Sequence, residues 1–234
     1  MKKARILIFC CCLLLVGCTN GIEKNNSEQK NDGANWSKKR TNLFSSMDYP
    51  ELSKKDAGKL MEDKFDLMIP PFFEQSLALM QKILMTEDES EFTIKSDAEI
   101  LTIQGKLKAG KENTSPNYAV SAEAQFQVNQ QKQQVYLTKQ WILIQNSSAD
   151  SELPGESVLL LLRKLGKVME LPDLDQVIKN AEKKIAEVND KNSNQLIEIY
   201  NDSQMEQQHT SRILTISYDK KNCFKEIYGL ISIE

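Results

Sequence analysis

The chain has one histidine, His209, among its 234 residues. One imidazole and few thiols cannot furnish the usual zinc sites. That histidine lies in a polar turn, MEQQHTSR, with no acid and nucleophile marked beside it, and no G-x-S-x-G elbow accompanies it. The nine glycines are scattered and form no phosphate-cradling pattern, so no nucleotide cofactor is expected. Aromatic residues make up 7%, and beyond residue 50 the only tryptophan is Trp141, at a position that reads as strand core. Sugar-binding sites usually offer more aromatic platforms than that. The longest uninterrupted apolar run, Ile6 to Val16, has eleven residues. A span of about 30 Å of hydrocarbon needs roughly 20. Cys10, Cys11 and Cys12 fall inside that run and act there as small apolar residues.

That run has its own pattern. Lys2, Lys3 and Arg5 precede it, small Gly17 follows, and Cys18 comes next. This is the order of a signal peptide: a basic segment, a short apolar segment and a small residue at the cut. The stretch Leu15-Val16-Gly17-Cys18 resembles the lipobox of bacterial lipoproteins. The resemblance covers only the first 20 or so residues. It implies that residues 1–17 are a leader removed before Cys18, and that Cys18 carries the lipid. Two or more acyl chains give stable anchoring. The expected location is the outer, extracytoplasmic face of the cell membrane, with the membrane itself as the first partner.

Losing residues 1–17 leaves 27 basic against 33 acidic side chains, a net charge near −6. An acidic surface does not favour nucleic acid or an anionic lipid surface. The two thiols left are Cys18 and Cys223, so no disulfide framework can form within the mature chain, and the core must hold it. Residues 18–50 are polar and without period, which predicts a tether, with ends roughly 30 Å apart from about 5–6 Å × √n. Trp36, Leu43 and Phe44 are its apolar exceptions, expected to pack loosely on the domain.

The domain is expected over residues 51–234. Ser53 with Asp56 caps a first helix carrying Leu60, Met61, Phe65 and Met68, which Pro70-Pro71 must break. Phe72, Phe73, Leu77, Met80, Ile83 and Leu84 mark a second helix. Then the period changes to two. In YAVSAEAQFQV, Tyr118, Val120, Ala122, Ala124, Phe126 and Val128 share one side. This strand, 118–128, and 134–145 form a hairpin, with 91–107 as a third strand beside it. Residues 158–169 make a short apolar helix, and Asp173 with Gln176 caps the next, with Leu174, Val177, Ile178, Ala181, Ile185 and Val188 on one face. Strands follow at 195–200, 210–218 and 223–233. The class is α+β, an antiparallel sheet packed with helices. The order suggests two α-β-β-β units, 51–150 and 151–234, loosely like cystatin-type or NTF2-type domains in outline.

No catalytic, cofactor-binding or metal-ligating residue is assigned. Cys223 and His209 could pair as nucleophile and base, but Cys223 reads better as a buried apolar residue. Calcium on Glu87-Asp88-Glu89 or on Asp173 and Asp175 lacks the EF-hand spacing. The expected function is a non-catalytic protein-binding module of the immunity or envelope-assembly type. A carrier of a lipid or other apolar ligand and an extracellular hydrolase are the alternatives. A carrier should enclose an apolar pocket of several hundred Å³.

Overall fold

The computed structural model describes residues 37–39, 44–86, 90–109, 117–148, 153–154, 156–189, 195–205 and 209–233. All of these belong to one compact unit, Asn31–Glu234. Cys18, Trp36, Leu43, Glu87–Glu89 and residues 1–30 lie outside the described residues.

The alternating stretch forms a strand, Tyr118–Asn129, whose Tyr118, Val120, Ala122, Ala124, Phe126 and Val128 are all buried. It pairs antiparallel with Gln134–Asn146. Asn129 closes the turn between them by accepting from Lys132 N at 2.9 Å. The segment 91–107 is two strands rather than one: Glu91–Ser96 and Ile100–Ala109. The cause is Asp97, whose carboxylate accepts from Glu99 N and Ile100 N, both at 2.7 Å. Such an Asx turn reverses the chain without glycine. Those two backbone donors also hold the Asp97 carboxyl below its ordinary value.

In chain order the strands are β1 (Ser37–Lys39), β2 (Met47–Leu52), β3 (Glu91–Ser96), β4 (Ile100–Ala109), β5 (Tyr118–Asn129), β6 (Gln134–Asn146), β7 (Gln195–Asn201), β8 (Thr210–Tyr218) and β9 (Phe224–Ile233). The first two fall in the stretch expected to be tether, so folded structure begins well before Leu52. They escape a hydrophobic reading because MDYPEL has little apolar density and SKK has none. Phe44 is buried and stacks on Phe65 at 5.8 Å between ring centroids.

The sheet runs β2-β3-β4-β5-β6-β9-β8-β7, antiparallel throughout, with β1 paired to the start of β6. The chain meanders from β2 to β6, crosses to the far edge, and meanders back until β9 meets β6. The two expected halves are thus parts of one continuous sheet. Along the seam Trp141 faces Leu230, Ile142 faces Gly229 and Ile144 faces Ile227. The helices come in pairs before each strand run, giving αα-ββββ and αα-βββ rather than α-β-β-β twice.

Helix α1 (Lys54–Phe65) starts at Ser53, whose hydroxyl accepts from Asp56 N at 3.1 Å. It ends at Asp66 in the left-handed conformation, φ 57°, four residues before the prolines expected to break it. Met68 therefore leaves the helix and is 68% exposed. Helix α2 (Pro71–Ile83) buries Phe72, Phe73, Leu77, Met80 and Ile83, and Leu84, its C-cap residue, is buried as well. Helix α3 (Val158–Val168) is capped by the Ser157 hydroxyl, and α4 (Leu174–Asn189) follows. Asp173 does not cap α4 through its side chain. It sits at φ 46° and its carbonyl accepts from Gln176 N and Val177 N.

All four helices cover the same face of the sheet. On that face Phe92, Ile94, Leu101, Ile103, Ile142, Ile144, Leu214 and Ile216 are buried. Gly105 lets α2 approach: a Cβ there would lie 2.4 Å from Leu77 Cδ1 and 3.2 Å from Phe73 Cζ.

Candidate functional site

The opposite face of the sheet has no described element over it, and its composition depends on one residue. Phe126 pairs with Leu137, but Gln125 pairs with Lys139, so Thr138 is an extra residue in β6. Its hydroxyl donates to Gln125 O at 3.0 Å. A bulge of this kind shifts the side-chain alternation by one position. Beyond it Gln140 points inward and is fully buried, and Trp141 and Leu143 point outward. The expectation that Trp141 lies in the core is overturned by this shift.

On the open face two cross-strand rows meet. One runs Glu123–Trp141–Leu230–Ile213, the other Ser121–Leu143–Tyr228–Thr215. Trp141, Leu143, Tyr228, Leu230 and Ile213 are each half-buried. The rings of Trp141 and Tyr228 lie 6.5 Å apart at 35°. Trp141 Nε1 donates to Glu123 Oε1 at 3.2 Å. Burial, with the Glu123 carboxylate nearby, raises the Tyr228 hydroxyl above its ordinary value. Around these five stand Gln125, Lys139, Ser232 and Ser211 on one side and Gln145, Glu226 and Ser217 on the other. The arrangement is an apolar centre with two aromatic rings, polar at its borders. On this face β4 contributes Thr102, Gln104 and Lys106 and β5 contributes Ser121, Glu123 and Gln125, all polar. The apolar contribution comes from β6, β8 and β9.

Both edges of the sheet are blunted. β2 carries Pro50, and its pairing to β3 shifts between Tyr49 and Leu52 around Glu51 at φ 56°. On β7 the Glu198 carbonyl accepts from Lys184 Nζ of α4 at 2.6 Å. Proline, bulges and lysine are the usual protections of an edge against strand addition. Leu196 on β7 is 72% exposed.

A separate cleft of about 800 Å³ opens to solvent beside α1, with Leu67, Ile69, Pro71 and Phe92 among its apolar lining. It is not the enclosed pocket that the carrier reading called for.

Cys223 and His209 do not meet. Cys223 is buried just before β9, where its N–H is bonded to the Asp219 carboxylate at 3.0 Å. His209 is exposed, just before β8. They sit at opposite ends of the β8–β9 hairpin, whose strand of 9 residues separates them by about 30 Å at about 3.3 Å per residue. Asp175 is paired with Arg163. Among the described residues no three His, Cys, Asp or Glu side chains gather as a metal site would need.

Compared with protein-family models, with curated proteins and with solved structures, the chain finds no match.

Proposed function

We propose that this is a lipoprotein, anchored through acylated Cys18 to the outer face of the cell membrane, that binds a protein partner through the open face of its sheet and performs no catalysis. The apolar cluster of Trp141, Leu143, Ile213, Tyr228 and Leu230 carries the reading. Interfaces concentrate binding in a few aromatic and apolar anchors, ringed by polar contacts that exclude water. The blunted edges favour contact through the face over strand addition. The anchor rests on the lipobox-like Leu15–Cys18. Immunity to a secreted toxin and a part in an envelope assembly both fit such a module. The loose likeness to cystatin-type or NTF2-type outlines is an analogy of layers and adds no functional weight.

The test is affinity capture from gently solubilised membranes with the lipidated protein. A stoichiometric partner is expected with the parent chain. Trp141→Ala is expected to weaken its retention at least tenfold, on the order of 2 kcal/mol for an aromatic anchor. Met85→Ser, at an exposed position just past α2, is expected to leave retention unchanged. Cys18→Ala is expected to move the protein out of the membrane fraction and to remove the acyl mass from its N-terminal peptide. Retention that is insensitive to Trp141 would overturn the choice of face.

A further inference from the structure

The cleft beside α1 is unrelated to the open sheet face and has an order of its own. Its floor is apolar, with Leu67, Ile69 and Phe92. Lys54 and Glu74, both in its lining, pair with each other at 2.8 Å. Two further charged residues line it from α1, Lys55 and Glu62, seven positions apart. Seven residues are two turns, so both lie on one face, about 10 Å apart at about 1.5 Å per residue. Gly58 lies between them. Glycine in a helix interior is destabilising, and packing does not require it here. A Cβ at Gly58 would meet only Ile69 Cδ1, at an ordinary 3.9 Å. Its missing side chain leaves the middle of the cleft open.

We propose that this cleft binds a short apolar peptide with free termini, about three residues long. An extended chain covers about 3.3 Å per residue, so about three residues match the interval between Lys55 and Glu62. The peptide's carboxylate pairs with the Lys55 ammonium, at the end of α1 where the helix dipole also favours an anion. Its α-ammonium pairs with the Glu62 carboxylate, near the helix end that favours a cation. Its side chains rest on Leu67, Ile69 and Phe92. A volume of about 800 Å³ lies in the range of small-ligand sites. Exposed Met68, in the same lining, supplies an adaptable apolar wall.

The test uses the full chain in detergent micelles, labelled at the methionine methyl groups, with the Met68 signal assigned through Met68→Leu. Tri-leucine with free termini is the probe. A saturable shift of the Met68 methyl is expected at millimolar peptide or below. N-acetylation and C-amidation should each weaken binding at least tenfold. In Lys55→Gln amidation should cost nothing further, and in Glu62→Gln the same should hold for acetylation. Gly58→Leu should abolish the shift while the other methionine signals keep their positions. No Met68 response, equal binding of free and capped peptides, or a shift that survives Gly58→Leu would each overturn the proposal.

Discussion

A single inserted residue, Thr138, decides what the sheet presents on each side. It turns Gln140 inward, where Gln140 Oε1 accepts from Phe73 N at 3.3 Å. This matters because α2 begins behind Pro70, which has no side chain able to cap it. The buried glutamine serves a first-turn donor of the helix from across the layer. Its Nε2, and Ser76 Oγ on the same helix, are buried without a partner. Gln140→Ala should therefore destabilise by about 2–4 kcal/mol, adding an unpaired donor to a cavity. Ser76→Ala should be neutral or stabilise by about 1 kcal/mol, because it removes an unsatisfied hydroxyl. Urea unfolding of both variants checks the pair. At this scale the sequence is ambiguous. In LTKQW the residues around Thr138 are polar on both sides, so either alternation reads equally well, whereas β5 has no insertion and its alternation is plain.

At the scale of elements, α3 is tied to the β7–β8 edge by a polar bridge. Arg212 Nε donates to Met169 O at 2.9 Å, satisfying the last turn of α3. Arg212 Nη1 lies 3.7 Å from Asp202 Oδ2, and both side chains are largely buried. Asp202 also accepts from the Arg212 backbone N–H and, at 3.1 Å, from the Tyr200 hydroxyl. Asp202→Ala leaves a buried guanidinium without its counter-charge and should cost about 3–5 kcal/mol, read as a lowered unfolding midpoint with an unchanged denaturant slope. Burial pushes the Tyr218 hydroxyl up to about 12. An unfolded tyrosine ionises near 10. Between these values the folded state keeps a proton that the unfolded state has lost. Stability should then fall as pH rises from about 10 to about 12, and Tyr218→Phe should remove part of that fall, up to about 3 kcal/mol, while Tyr200, pushed up to about 12 by burial and the Asp202 carboxylate, keeps its own share. Chemical unfolding across that range measures it. Element types and most boundaries were legible because helix and strand periods are strong here. Strands β3 and β4 merged because both alternate with a period of two and the Asp97 turn between them uses no glycine or proline, although the odd step from Ile94 to Leu101 marks a change of phase. The Asx signal in SDAE was the clue available. The open-face cluster was illegible because its members come from β6, β8 and β9, and only the pairing register brings them together.

The whole unit behaves as one sheet with one helical layer. The conjectured division near residue 150 falls in the crossover between β6 and β7, but the seam between β6 and β9 joins the two sides by continuous pairing from Lys139–Ser232 to Gln145–Glu226. A fragment ending near residue 150 would expose that long strand edge and should associate rather than fold. The full chain should unfold in a single transition, with tryptophan fluorescence and far-ultraviolet circular dichroism giving the same midpoint. Trp141 reports directly on this seam, since it faces Leu230 across it.

The same seam sets an order of events. A chain made from its N-terminus presents β6 long before β9 exists, and Trp141 must wait for Leu230 and Tyr228 across a large loop. Closing such a loop is slow and is rewarded only at the end. Until then the neighbour position of β6 stays vacant and the aromatic pair is incomplete. The surface proposed to meet a partner needs β9 as well as β6, so a recipient that recognises it responds only to chains in which these two distant strands have found each other.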